Sequence, residues 1–341
     1  MLATILAICI AGSALLFEAE QPDPPFEVSS SFSVEGTDDF PIYALNRYST
    51  ALRVVPSDDA LLIVNPQANR LALRSIDSDE LRYYGREGSG PGEFLDSIDA
   101  ARLEDSWFVL ERGNPRIQRI DDAGSVVETF SYTAGSALTH LIQRNESSLW
   151  LGGWQSCSGE GICLLSVLSL DDNVPIQSAA PVRDQPLNIA WRFAVDETNR
   201  VYAINANGTV VDVFDERGSR VEQIDISSES IRSLPESILG LQDQRQRLTR
   251  GVEAMRNEPH TFVAAIAASD TRLYVQHGLA NFGTDSEYVV DIFSHDGRLL
   301  AQGLQAPGRL QEAHDNELIF VNYQDVDPFG VAEIIVGRWK I

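Results

Sequence analysis

The stretch Gly85-Arg86-Glu87-Gly88-Ser89-Gly90-Pro91-Gly92-Glu93-Phe94 decides the fold. Its four glycines and one proline exclude a helix or a strand interior, so we predict a tight connection here. Short runs typical of strands flank it, Leu81–Tyr84 before it and Ile98–Leu103 after it. The stretch therefore joins two strands, and it lies beside a repeat that continues through the chain.

The repeat is marked by polar turns, each of which separates two apolar runs of alternating character. The turns are Ser57–Asp59, Glu104–Ser106, Asn145–Ser147, Asp196–Asn199, Ser269–Thr271 and Asp315–Glu317. A third run and a weaker fourth run follow in each unit, so that the period is roughly 40–50 residues. Six such units predict an all-β fold, a six-bladed β-propeller of four-stranded antiparallel blades.

The sixth unit has only three strand-like runs, and the start of the chain can supply the fourth. Phe26–Val34 alternates apolar and polar residues, as a half-buried strand does. We predict that it pairs with Val331–Val336, which would close the ring and remove two exposed strand edges. The propeller would then span residues 26–341.

One long insertion, residues 227–259, interrupts the repeat between the fourth and fifth units. Ser233–Glu236 has a capping-box pattern with proline in the first turn, and apolar residues recur after it at helical spacing. We predict an amphipathic helix, which either packs on the ring as a lid or docks on a partner.

The N-terminus predicts the compartment. Leu2–Phe17 is almost wholly apolar, too short to span a bilayer and suited to a signal peptide, although no Lys or Arg precedes it. We assign residues 1–19 to a signal peptide and 20–25 to a Pro-rich spacer. The expected location is the periplasm or the extracellular space, with no stable membrane span after signal removal. In that oxidising setting Cys157 and Cys163 are predicted to form a disulfide rather than a metal site.

The charge of the chain limits its partners. Fifty acidic residues against 26 basic ones give a net charge of −24, and Lys340 is the single lysine. Such a surface repels nucleic acid and anionic lipid, so neither is expected as a partner. We expect a monomer with a solvated, acidic exterior.

With the units placed, the sequence resembles the NHL-type six-bladed β-propellers, in particular exported bacterial members with a GxxGxGPGEF segment. That segment is Gly85–Phe94 here, and Trp107–Asp121 resembles the family's strand, loop and NxRIQ strand. The resemblance covers residues 26–341 and implies the fold. It does not imply one activity, because such rings include lyases, lactonases, sensors and interaction modules.

Blade topology divides the connections between two faces. The turns from first to second strand and from third to fourth strand lie on one face, which we call the short-turn face. The other connections lie on the loop-rich face, which carries Gly85–Phe94, Cys157–Cys163, the insertion, His277–Glu287 and Tyr323–Gly330. Since binding residues commonly lie on loops held by a rigid scaffold, we expect the functional site on the loop-rich face.

Our first hypothesis is an exported, non-catalytic binding propeller without a cofactor, which recognises a protein, a peptide or a glycan. Arginine binds carboxylates in a bidentate manner, and tryptophan stacks on sugars or peptides. The candidate ligand-binding residues are Arg86, Glu87, Arg112, Asn114, Trp154, Trp191 and Arg192. Alternatively, these arginines pair with neighbouring acids and most of the tryptophans, Trp150 included, pack in the core.

The alternative function is a metal-dependent lyase or lactonase with calcium or zinc on the propeller axis. Its candidate ligands are His140, His260, Asp99 and Glu312, which lie near the starts of the innermost strands. The resemblance to histidine–zinc lyases requires a third histidine, for which His277 and His314 are the candidates. No nucleophile-elbow sequence is present, and a Ser-His-Asp triad stays open.

Overall fold

The computed structural model describes residues 26–42, 52–57, 59–75, 78, 80–132, 137–156, 162–170, 177–182, 191–231, 261–279, 288–314, 317–324 and 330–340. These residues form 24 strands in six four-stranded antiparallel sheets. The predicted six-bladed, all-β propeller is confirmed.

Each blade is built outward from the axis of the ring. The innermost strands of blades 1 to 6 are β2 (Arg53–Pro56), β6 (Ser97–Leu103), β10 (Ala137–Asn145), β14 (Trp191–Val195), β18 (Thr261–Ala268) and β22 (Arg309–His314). The second strands are β3 (Ala60–Asn65), β7 (Ser106–Glu111), β11 (Ser148–Ser156), β15 (Val201–Asn205), β19 (Arg272–Leu279) and β23 (Glu317–Gln324). The third strands are β4 (Arg70–Ser75), β8 (Arg116–Asp121), β12 (Ile162–Ser169), β16 (Val210–Phe214), β20 (Val289–Ser294) and β24 (Val331–Trp339). The outer strands are β5 (Leu81–Tyr84), β9 (Val126–Ser131), β13 (Gln177–Val182), β17 (Arg220–Asp225), β21 (Leu299–Gln305) and β1 (Phe26–Glu35).

The ring closes through the first strand, as predicted. β1 runs antiparallel to β24, from the pair Phe26 and Trp339 to the pair Glu35 and Val331. The Phe26 ring packs edge-on against Trp339, with centroids 4.9 Å apart, and against Phe320 at 5.5 Å. The innermost strands contact one another in sequence, including β22 with β2, so the six blades surround one axis.

The hydrophobic core lies between the blades. Six apolar clusters separate the six pairs of neighbouring blades, and each combines side chains from both members of its pair. Second strands are therefore covered on both faces, and every residue of Ala60–Asn65 is buried. This explains why these strands have continuous apolar runs, whereas the outer strands alternate.

Four innermost strands contain a β-bulge close to their beginnings. The register shifts between Ser97 and Asp99, Leu138 and His140, Val263 and Ala265, and Leu310 and Glu312. A bulge re-aims the side chains next to it. The bulges therefore set the directions of the residues that surround the loop-rich end of the axis.

Several predicted segments lie outside the described residues. They are the signal peptide (1–19), the spacer (20–25) and residues 232–259 of the predicted insertion. Residues 227–231 of the insertion lie within the described part and are not helical. The helical insertion therefore stays a prediction. Within the described ranges, no helix has the length and apolar character needed to cross a membrane.

Candidate functional site

An axial ring of six residues

Six residues, one from each blade, stand at one level of the propeller axis, and we call them the axial ring. Each is paired with the fourth or fifth residue of the second strand in its blade, so all six lie at a similar distance from the short-turn face, and in blades 1, 4 and 6 the ring residue is the first or second of its innermost strand. They are Arg53, Asp99, His140, Arg192, Ala265 and Arg309. Five of the six carry ionisable side chains.

Arg53 joins three blades at the axis. Its Nε donates to Asp99 Oδ1 at 2.8 Å in blade 2, and its Nη2 donates to Glu312 Oε2 at 2.9 Å in blade 6. Nη1 donates to the Gln311 carbonyl at 2.7 Å, and Asp99 Oδ2 accepts the Leu141 N–H of blade 3 at 2.9 Å. Burial disfavours the charged guanidinium, but the two carboxylates outweigh it and raise the pKa of Arg53. This ion pair network therefore fixes four blades relative to one another.

His140 stands between Asp99 and Arg192 in the ring. Thr139 Oγ1 lies 2.8 Å from its Nδ1, and the ring of Phe193 lies 5.1 Å away. Burial holds the pKa of His140 well below its usual value, and Arg53 and Arg192 lower it further. The imidazole is consequently neutral at physiological pH.

Arg192 and Arg309 form the cationic side of the ring. Arg192 Nε donates to the Ala264 carbonyl at 2.6 Å and Nη1 to the Trp191 carbonyl at 3.3 Å. Burial lowers the pKa of Arg192 to about 10, and the nearby Arg309 contributes to the shift. Among the described residues, no carboxylate forms an ion pair with either guanidinium.

Metal ligands and a possible triad

The predicted metal ligands do not form a donor set in the described part of the chain. There, no three His, Cys, Asp or Glu side chains come close enough to hold an ion. Asp99 and Glu312 converge at the axis, but both bind the Arg53 guanidinium, which occupies the space between them. His260 lies outside the described residues. We therefore derive no chemistry through a metal, and a metal site stays an untested prediction.

The two further histidine candidates lie elsewhere. His314 lines the short-turn end of the axis. His277 Nε2 lies 3.2 Å from Asp291 Oδ2, and the Ser230 hydroxyl donates to the same oxygen. In this Ser–Asp–His arrangement the aspartate is central, whereas a nucleophilic serine requires the histidine next to it. The contacts instead attach the residues after β17 to blade 5.

The loop Gly85–Phe94 and its anchor

The loop Gly85–Phe94 is fixed by a buried carboxylate, Glu111, whose side chain is 0% exposed. Glu111 accepts hydrogen bonds from Arg116 Nε and Gln118 Nε2, both at 2.7 Å, and from Leu95 N at 3.0 Å. Arg116 then donates to the carbonyls of Ser89, Gly90 and Glu93, and Gln118 Nε2 donates to the carbonyl of Glu93. The loop is thus held by the NPRIQ segment of blade 2, and both motifs have a structural role.

The predicted ligand-binding residues near this loop have different surroundings. Arg86 is exposed and donates to Glu93 at 2.7 Å, while Arg112 donates to Asp96 at 2.7 Å. These two arginines have the acidic partners that the alternative interpretation expected. Asn114 Nδ2 donates to the Gly88 carbonyl at 3.1 Å, and Glu87 is exposed.

The tryptophans lie mainly inside the propeller. Trp150 is fully buried and Trp191 is 5% exposed, both in the cluster between blades 3 and 4. Their indole rings are covered by core residues such as Phe193 and Phe214, as the packing alternative predicts. Trp154 on β11 is half-buried.

Cys163 is buried on β12, but Cys157 lies outside the described residues, so their disulfide stays a prediction.

The axial cavity

A cavity of about 560 Å³ lies on the axis, on the short-turn side of the ring. Its walls come from the innermost strands of all six blades, and small side chains such as Ala100, Ala194 and Ala267 line much of it. Arg53 and Glu312 form part of its inner end. The axial ring therefore stands between this cavity and the connections of the loop-rich face.

Sequence reasoning placed His140, Asp99, Glu312 and Arg192 near the axis but missed Arg53 and Arg309. Both are the first residues of innermost strands, and this position is the sequence signal that could have identified them as axial residues. The bulges hide it, because a register shift lies between the ring residue and the turn in blades 3 and 6 but only before the ring residue in blades 2 and 5, so the residue count along the strand differs from blade to blade.

Similarity to solved structures

No protein-family model and no curated protein sequence matches this chain. Its fold is similar to that of a DUF4221 family member from Bacteroides vulgatus, with a TM-score of 0.67 and 9% identity over 94% of this chain and 99% of the other. A protein from Bacteroides fragilis, named "Putative exported protein", has a TM-score of 0.65 and 11% identity, over 93% and 96% of the two chains. A catalytically inactive virginiamycin B lyase from Staphylococcus aureus, with quinupristin, has a TM-score of 0.51 and 12% identity, over 93% and 96%. At these identities the likeness establishes the fold alone: the chain is a six-bladed propeller, and membership of the NHL-type family stays a hypothesis.

Proposed function

We propose that this protein is an exported, non-catalytic propeller that binds a protein, peptide or glycan ligand through its loop-rich face. The observation that carries the proposal is the concentration of fixed polar groups at this end of the axis. Charged side chains of the axial ring lie there, and the rigid loop Gly85–Phe94 presents Arg86 and Glu87 to solvent. Preorganised polar groups on a rigid scaffold bind with little loss of conformational entropy.

Export is part of the proposal. It is supported by the apolar segment Leu2–Phe17, and the name of the Bacteroides fragilis protein of similar fold agrees with it. A metal-dependent lyase or lactonase is less well supported, because Arg53 already neutralises Asp99 and Glu312.

Peptide and glycan arrays probed with the labelled mature protein test the proposal. Glu87→Arg reverses a charge on the loop-rich face, and Asp270→Arg makes the same change at an exposed position on the short-turn face. We expect a defined set of bound peptides or glycans that Glu87→Arg alters and Asp270→Arg leaves unchanged. The opposite sensitivity, or no bound ligand, would contradict the proposal, as would lactone or lyase turnover that chelators abolish.

A further inference from the structure

The two arginines on the cationic side of the axial ring stand out from the charge pattern of the whole chain. The net charge is −24, yet Arg192 and Arg309 lie close to each other at the axis. The ring and Glu312 together carry three arginines and two carboxylates, and both carboxylates bind Arg53. The positive charge of Arg192 and Arg309 is therefore not neutralised within the described residues.

Within the described part of the chain, such a pair is unfavourable in the absence of a ligand. Like charges repel, and transfer of a guanidinium out of bulk water costs free energy unless a partner compensates. The two backbone carbonyls that accept from Arg192 satisfy hydrogen bonds but supply no negative charge. Groups that reduce stability in this way are common at binding sites, where the ligand supplies the missing interaction.

The surroundings leave hydrogen-bond donors for an anion. Arg192 uses Nε and Nη1 for backbone carbonyls, while its Nη2 has no acceptor among the described residues, and neither has the Arg309 guanidinium. Blade 5, between the two arginines, contributes only the methyl group of Ala265 to the ring. The Phe262 ring lies 5.6 Å from the Arg192 guanidinium carbon, and Tyr288 lies close to the same group.

We propose that Arg192 and Arg309 together bind a carboxylate group of the ligand at the loop-rich end of the axis. This inference rests on the proposed function and specifies the chemistry of its site: an acidic peptide terminus or side chain, or a uronic acid of a glycan. Two planar guanidinium groups match the two oxygens of a carboxylate, with charge-assisted hydrogen bonds from each. Neutral His140 adds no competing charge to the site.

Calorimetric titration with matched probes tests the carboxylate. The probes are N-acetyl-glycylglycine and its amide, a tri-galacturonate and its methyl ester, and inorganic phosphate. We expect the wild-type protein to bind a free carboxylate probe at least about tenfold more tightly than its neutral counterpart, as the loss of charge-assisted hydrogen bonds implies. Equal binding of charged and neutral probes, tighter binding of phosphate, or no binding of either carboxylate at millimolar concentration would overturn the inference.

Arg309→Gln removes one guanidinium, and Arg298→Gln makes the same change at an exposed site on the short-turn face. We expect Arg309→Gln to weaken carboxylate binding about 10- to 100-fold and Arg298→Gln to leave it unchanged. The melting temperature of ligand-free Arg309→Gln should equal or exceed that of the wild type, because a repulsion is removed. A clear decrease would show that Arg309 is a structural ion pair partner, which would refute the inference.

The array experiment separates this inference from the proposed function. If Glu87→Arg changes the binding of array ligands while Arg309→Gln still binds them, the proposed function stands and the carboxylate site is refuted. If the wild type binds no array ligand but selectively binds a carboxylate probe, the carboxylate site stands and the proposed function is refuted.

Discussion

Replacing Glu111 with alanine should detach the loop Gly85–Phe94 from blade 2. The change removes the acceptor of Arg116 Nε and Gln118 Nε2 at 2.7 Å each and of Leu95 N at 3.0 Å. Arg116 keeps three carbonyl acceptors and Gln118 keeps one, so neither is completely orphaned, but a buried positive charge loses its counter-ion. Breaking a buried ion pair by removal of one partner costs about 3–5 kcal/mol, and we expect a loss of this size.

Urea denaturation gives the free energy of unfolding, and limited trypsin digestion reports on the loop itself. We expect cleavage after Arg86 to accelerate in Glu111→Ala, because its loop loses the anchor. Glu222→Ala, at an exposed position of β17, is the control and should change stability by no more than about 0.5 kcal/mol. A loss below about 1 kcal/mol in Glu111→Ala, with unchanged cleavage, would refute the reasoning.

Three further predictions follow from the ring and the loop. Deletion of residues 1–35 should lower the melting temperature sharply relative to deletion of residues 1–25, because only the first removes β1 from β24; equal melting temperatures would contradict ring closure. Because burial depresses the pKa of His140 in the folded state, the unfolded chain takes up its proton first as the pH falls from about 7 to 5, and stability decreases by up to about 1.4 kcal/mol per pH unit. His140→Gln should flatten that decrease in urea titrations, and parallel curves for the two proteins would oppose this account. Gly85→Ala places a methyl group 2.3 Å from the Phe94 ring at a φ of +79°, whereas the methyl group of Gly303→Ala meets nothing within 4 Å at a φ of +70°. The free energy of unfolding should therefore fall by about 1–3 kcal/mol more in Gly85→Ala than in Gly303→Ala, and equal losses would exclude the clash.

The architecture was largely predictable from the sequence because its determinants are local. Polar turns and alternating runs define each strand, their recurrence gives the blades, and the missing strand of the sixth unit identifies Phe26–Val34 as its complement. The arginines Arg86 and Arg112 also pair with acids close to them in the chain, Glu93 and Asp96. These features need no knowledge of which blades meet at the axis.

The site required the tertiary structure. Arg53 meets Asp99 and Glu312 across 46 and 259 residues of chain, and no local pattern reports that distance. The bulges in β6, β10, β18 and β22 shift the register at different places relative to the ring residue, so counting along the innermost strands does not give the ring level reliably. Sequence periodicity determined the blades of this protein, but the closed ring decided which charges neutralise one another, since packing brings together residues that the chain keeps far apart.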